Sequence, residues 1–237
     1  MRVGWPLRWV SQAMSDSTTD LRKALPELVK RYEGKLEVVE SICSGQLPRP
    51  VLQLIGKRQY AEARAAIQFK FPERLRVCPL EAVEARRYWV KQLTDESGDF
   101  ERGHDHATLL APACLAIGVT PDELEREYRE YLPRVDYLYK SPISIELTLV
   151  EAAQVYVEEA VFMSAAGRIA DALRDHYGVD EPALRYFRVH ALVDVEHSAA
   201  GLEMLVAVAK TEAQRALVLD TARSALERFP IWADDLR

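Results

Sequence analysis

Tyr186 to Val208 reads YFRVHALVDVEHSAAGLEMLVAV, and within it His190, Asp194 and His197 stand at i, i+4 and i+7. At 3.6 residues per turn those three side chains fall within roughly 60° of one another. The same face takes in Tyr186, Phe187, Gly201, Met204, Leu205 and Val208, while Arg188 and Glu196 lie off it. The two imidazoles and the carboxylate therefore sit on the apolar stripe that a helix turns toward its core. An unpaired carboxylate is costly there. Asp194 must be clamped between the histidines in a hydrogen-bond network or bound to a metal ion.

Working outward, the pattern is helix after helix with no convincing alternating strand. Leu21 to Cys43 carries apolar residues at three- and four-residue spacing, and Leu47 to Lys70 opens on a proline near a helix start. Phe71-Pro72 is expected to break that helix, and Pro79 to open the next, which runs to about Gly98. A polar loop, Gly98 to Gly103, precedes a helix from about His104 to Ile117, closed by Gly118. Thr120-Pro-Asp-Glu starts a helix to about Tyr131, Ser144 to Tyr177 is a long one ending at Gly178, Glu181-Pro182 starts the quoted segment, and Thr211 to Arg228 is the last. This predicts an all-α protein of seven or eight helices, with 1–13 a loose extension and 14–237 one helical domain.

Composition narrows the class. A chain of 237 residues with 10 glycines, 49% hydrophobic and 29% charged residues suits a helix-rich globular domain. A net charge of −6 argues against a nucleic-acid surface. No uninterrupted apolar run approaches the roughly 20 residues that span a bilayer. Cys43, Cys78 and Cys114 are odd in number, widely spaced and outside any CxxC pair, which fits reduced thiols in a cytoplasm.

Metal sites in helical bundles draw inward-facing acids and histidines from several helices. In the long helix, Glu159 shares a face with Leu149, Ala152, Tyr156, Phe162, Met163, Ala166 and Ala170, whereas Glu158 points about 100° away toward Glu151 and Gln154. Glu159 is the inward acid, available for a metal or for an ion pair with Arg168. Glu96 continues the face of Ala82, Ala85, Trp89 and Leu93, while Asp95 continues Glu84, Tyr88 and Lys91. By itself Glu96 reads first as a routine, solvated acid at a helix end. His106 leads Leu109, Leu110, Ala113 and Ile117, which makes it the inward histidine and His104 a lip residue; His176 stands where a histidine caps helix carbonyls. The collected set is Glu96, His106, Glu159, His190, Asp194 and His197. Mixed imidazole and carboxylate ligation suits iron or manganese, whereas structural zinc usually recruits thiolates.

The ordered set of Phe71-Pro72, Asp95-Glu96-Ser-Gly98, His106, Glu159-Ala160, His176-Tyr177-Gly178 and Tyr186-Phe187-x-x-His190-x-x-x-Asp194-x-x-His197 resembles the heme-oxygenase-like diiron oxidases and oxygenases, relatives of thiaminase-like and pyrroloquinoline-quinone-synthase-like proteins. The resemblance covers about Tyr60 to Ala209. It implies a seven-helix bundle, the six positions above as ligands of two Fe(II) ions, and O2 as co-substrate. Members of that family carry out N-oxygenation, desaturation or C–C cleavage of amino acids, decarboxylation of fatty acids, and a self-sacrificing para-aminobenzoate synthesis. The last branch has a tyrosine before the bridging glutamate and a lysine ten residues after it, where this chain has Glu158 and Ile169.

The expected function is an O2-dependent non-heme diiron oxidoreductase acting on a small, amino-acid-derived metabolite with an external reductant. Tyr186 and Tyr156 are the expected catalytic side chains beside the metals, with Phe162, Met163 and Met204 in the apolar lining. Arg134, Arg168 or Lys140 offers a cation for a substrate carboxylate. Neither nucleic acid nor membrane is an expected partner, and a homodimer fits the class. The alternatives are the self-sacrificing synthase, a metal-free thiaminase-like hydrolase with a cysteine nucleophile, and a non-enzymatic helical interaction protein.

Overall fold

A computed structural model describes residues 19–229, apart from residue 102 and the side chain of Phe100; the expected extension over 1–13 lies outside the described residues. The elements are α1 (Leu21–Tyr32), α2 (Glu37–Cys43), α3 (Arg49–Ala65), α4 (Phe71–Val77), α5 (Val83–Glu96), α6 (His106–Ala116), α7 (Pro121–Tyr139), α8 (Ile145–Tyr177), α9 (Arg185–Val208) and α10 (Glu212–Glu227). The described residues contain no strand. The protein is all-α, and none of these helices is long and apolar enough to cross a membrane.

The helix ends follow the local chemistry. Ser144 accepts a hydrogen bond from the Leu147 amide to start α8, which stops at Gly178 with φ +72°. Thr120 with Glu123 and Thr211 with Gln214 close reciprocal capping boxes on α7 and α10. Asp105 caps α6 by accepting from the Thr108 amide at 2.9 Å.

The long α8 and α9 run antiparallel as the central pair, with Glu159 beside Gly201 and Phe162 beside His190. Leu25, Trp89, Leu149, Val157, Leu205 and Leu226 bury one core between this pair and α1, α5 and α10. Leu52, Leu110, Leu173, Leu184 and Tyr186 bury another on the side of α2, α3 and α6. These apolar contacts are the main stabilising term, since each fully buried Leu-sized side chain contributes about 1.5–3 kcal/mol.

Several boundaries differ from the sequence expectation. The first apolar run is two helices, α1 and α2, turned at Gly34 with φ +70°. Phe71-Pro72 does not break the chain: Ala66–Lys70 forms a π-helical turn that leads directly into α4. There Pro72 occupies the first turn, where its missing N–H costs little. Pro79 stands in a turn, and α5 starts only at Val83. Helix α7 continues through Pro133 to Tyr139, and Glu181–Leu184 is a 3-10 turn before α9.

The α5–α6 turn sets where two acid- and histidine-bearing helix ends meet. Gly98 has φ +59°, and a Cβ there would collide with the carbonyl carbon and oxygen of His104. Only glycine permits both the left-handed backbone and the close approach. We expect Gly98→Ala to destabilise the fold by about 1–3 kcal/mol, read as a lower urea midpoint at unchanged helical content by circular dichroism. An unchanged midpoint would show that the turn relaxes freely.

Candidate metal centre

The tight turn at Gly98 brings the last residue of α5 against the first of α6. Glu96 Oε2 lies 2.6 Å from His106 Nδ1, without the alignment of a hydrogen bond. From α9, His190 sets its ring edge-on to that of His106, with centroids 4.3 Å apart. One carboxylate oxygen of Glu96 and one ring nitrogen from each of His106 and His190 lie within 4.8 Å of one another. His190 Nδ1 donates to the Tyr186 carbonyl at 2.8 Å, one turn back on the same helix. A carbonyl only accepts, so Nδ1 carries the proton and the Nε2 lone pair is left for another partner.

A second grouping adjoins the first. His197 Nε2 is 2.9 Å from Asp95 Oδ2, which makes Nε2–H the donor. The opposite nitrogen, Nδ1, has no hydrogen-bond partner and lies 3.6 Å from Asp194 Oδ1 and 3.9 Å from Glu159 Oε1. Glu159 accepts from Gln92 Nε2 at 2.6 Å and from the Tyr88 hydroxyl at 3.4 Å. Asp194 is 2% exposed, and its Oδ2 has no partner.

The electrostatics follow from this crowding. Burial pushes Glu159 well above the usual carboxylate range, and the Asp194 carboxylate adds to it. Burial acts on Glu96 in the same direction, but His106 and the other two histidines outweigh it and hold Glu96 at about 2. Burial and the neighbouring His106 lower His190. At His106 and His197 burial opposes the charged form, yet Glu96 and Asp194 respectively raise the pKa. Three acids and three imidazoles with orphaned acceptor atoms share one space. A bound cation relieves this arrangement.

Both groupings border a cavity of about 110 Å³ lined by Glu96, Glu159, His190, Asp194, Phe162 and Tyr186 on one side. Its other wall carries Glu62, Lys70, Arg74 and Glu158. Lys70 pairs with Glu62 at 2.5 Å, and Arg74 with Glu151 at 3.0 Å; Tyr131 and Tyr137 donate to those two acids. Burial, with Glu62 adding to it, raises Glu158 to about 7. The Tyr186 ring lies 4.0 Å from that of His190, and its hydroxyl accepts from Gln59 Nε2 at 3.4 Å.

All six sequence-selected ligand positions come together, but several other expectations need correction. Asp95 and Tyr88 do not face outward: they hold His197 and Glu159. Glu158 lines the cavity, because the wall formed by Ala66–Lys70 and α4 covers that side of α8. Arg168 pairs with Glu40 rather than Glu159, Lys140 pairs with Asp136 in an exposed helical pair, and Arg134 is absent from the cavity wall. Tyr156 and Met163 line a separate cavity of about 300 Å³ between α1, α8 and α9, and Met204 packs in the core. His104 pairs with Glu101 at the surface. Helical phase misses Gln59, Gln92, Lys70 and Arg74; a cation or amide on an apolar helix face is the signal that points to them.

Residues 58–229 match the family of iron-containing redox enzymes, which is most of the chain, and the chain belongs to that family. It is also 25% identical, over 206 residues, to a 4-aminobenzoate synthase of Chlamydia pneumoniae; the match covers 82% of this chain and 88% of that protein.

The Arg74–Glu151 pair is almost fully buried, with side chains 4% and 3% exposed. Removing one partner strands the other charge, so Arg74→Met is expected to cost about 3–5 kcal/mol in urea unfolding. Arg74→Met combined with Glu151→Leu should recover much of that loss. A single variant as stable as the wild type would mean that Glu151 finds another partner.

Proposed function

Since the chain belongs to that family, we propose that it is an O2-dependent non-heme diiron oxidase or oxygenase acting on a small, amino-acid-derived metabolite. The observation that carries this reading is the convergence of Glu96, His106 and His190 beside Glu159, Asp194 and His197, with Nδ1 of His197 and Oδ2 of Asp194 left without partners. Each grouping supplies two or more donors, which favours two metal ions over one. Glu96, His106 and His190 would hold the first; Asp194 and His197 would hold the second, with Glu159 alongside.

Bound iron supplies the electrons and the oxygen affinity that side chains lack, and an external reductant restores it. The rest is the work of this chain. The Tyr186 carbonyl and Asp95 fix the ring orientation of His190 and His197. Gln92 and Tyr88 aim the Glu159 carboxylate. Burial and the Glu96 carboxylate keep the Tyr186 hydroxyl protonated, so it faces the cavity as a neutral donor. Phe162 and Tyr186 supply aromatic lining to the space where substrate binds.

Wild-type protein loaded anaerobically with Fe(II) is expected to hold close to two irons per chain by elemental analysis. His190→Ala and Glu159→Ala should each lose most of that iron, and Asp95→Ala should weaken affinity by about 10–100-fold through His197. Full occupancy in the His190 and Glu159 variants would be incompatible with this centre.

The likeness to a 4-aminobenzoate synthase supports a second reading, in which the protein consumes its own tyrosine. Tyr186 is placed for it; Tyr156, in the other cavity, is not. Glu158 and Ile169 stand where that branch has tyrosine and lysine, and Ile169 lines an apolar cavity. A metal-free hydrolase is poorly supported, because burial pushes the Cys114 thiol up to about 12. After O2 exposure of the reduced protein we expect oxygen uptake, intact tyrosine mass by mass spectrometry, and a strict need for external substrate. Tyr186→Phe should slow the reaction while sparing iron. Loss of Tyr186 mass with product formed in the absence of substrate would establish the self-consuming reading instead.

A further inference from the structure

The wall opposite the candidate metal ligands carries one carboxyl group more than it has cations. Lys70 has Glu62 at 2.5 Å and Arg74 has Glu151 at 3.0 Å. Both acids are further satisfied by tyrosine hydroxyls, Tyr131 at 3.3 Å on Glu62 and Tyr137 at 2.7 Å on Glu151. Each cation is thus already committed to its own carboxylate. Glu158 lies among these groups and lines the same cavity as Glu159, His190 and Asp194, yet among the described residues no hydrogen bond or ion pair reaches its carboxyl group. Two cations against three acids leave one acid of this wall unmatched, turned toward the space where a substrate must sit. A carboxylate-bearing substrate end finds no uncommitted cation there. An ammonium group finds a partner.

We propose that Glu158 is the substrate-anchoring residue of this site and that it binds a protonated amine, so the substrate is a small primary amine or amino acid whose ammonium end faces Glu158. Lys70 and Arg74, held by Glu62 and Glu151, shape the wall and repel a misoriented ammonium; Phe162 and Tyr186 flank the apolar part of the substrate. This assignment rests on the reading of the cavity as the active site of an iron enzyme, and it adds the chemical class of what is bound.

The test uses the full-length chain, loaded anaerobically with Fe(II), and three probes of matched size: n-propylamine, propionate and n-propanol. Binding is read by calorimetry and iron by elemental analysis. The amine is expected to bind, with propionate and propanol weaker by about tenfold or more, the scale of a hydrogen bond to a charged group. Glu158→Gln should lose amine affinity by a similar factor at unchanged iron content, and Glu158→Asp should retain preference for the amine. Propionate binding as tightly as the amine would overturn the proposal, as would Glu158→Gln keeping full amine affinity. Iron loss in Glu158→Gln matching its loss of amine binding would also overturn it, by making Glu158 a counter-charge to the metal. Wild-type protein that takes up no iron yet still prefers the amine, in a Glu158-dependent way, supports the anchoring role and refutes only the metal reading.

Discussion

Everything in this molecule turns on holding several carboxylates inside a helical core. Glu96, Glu159 and Asp194 come from α5, α8 and α9 into a space walled by aromatic rings, where an uncompensated negative charge is strongly disfavoured. The chain meets this in two ways. It supplies three imidazoles at close range, and it surrounds the acids with oriented donors, Gln92 and Tyr88 on Glu159 being the clearest. What these cannot neutralise is left for a cation. The opposed shifts of Glu96, held at about 2, and Glu159, pushed high, express the same constraint: two nearby buried carboxylates do not ionise alike.

The helical bundle and six converging residues were legible in the sequence because α8 and α9 are long, regular helices. Over such lengths the 100° step stays in phase, so Glu159, His190, Asp194 and His197 could be placed on one inward face from spacing alone. Phase says which way a side chain points relative to its own helix; it does not say what else is packed there. Glu158 does point away from the face of Glu159, but a second wall waits on that side, where Glu151 pairs with Arg74 and Glu158 lines the same cavity as Lys70. Asp95 escapes phase for a different reason: it lies in the last turn of α5, beside the bend at Gly98, and from there its side chain reaches His197. The nearest cations by composition, Arg168 and Lys140, proved to be surface partners of Glu40 and Asp136.

Scaffold and reaction outcome are carried by different parts of the molecule. A family match over residues 58–229 speaks to the bundle and to membership of the iron-containing redox enzymes. On the proposed reading, reaction outcome depends on the opposite wall. The chain departs from the pattern it resembles at Glu158 on that wall and at Ile169 in a separate apolar cavity, and a relative at 25% identity leaves ample room for a different substrate on the same scaffold.

The π-helical turn at Ala66–Lys70 bears on how such a wall can change. A π turn is in effect one residue inserted into a continuing α-helix, so the segment from Arg49 to Val77 behaves as two helices rotated against each other by about one residue step, 100°. Gln59 and Ala63 present one helical register to the cavity, Lys70 and Arg74 another. A chain of the same length wound as a regular α-helix through these residues would carry everything after them round by that step. Lys70 and Arg74 would lose their present facing while the candidate metal ligands stayed in place, because those sit on other helices. The π turn thus sets the facing of this cavity wall independently of the candidate metal centre.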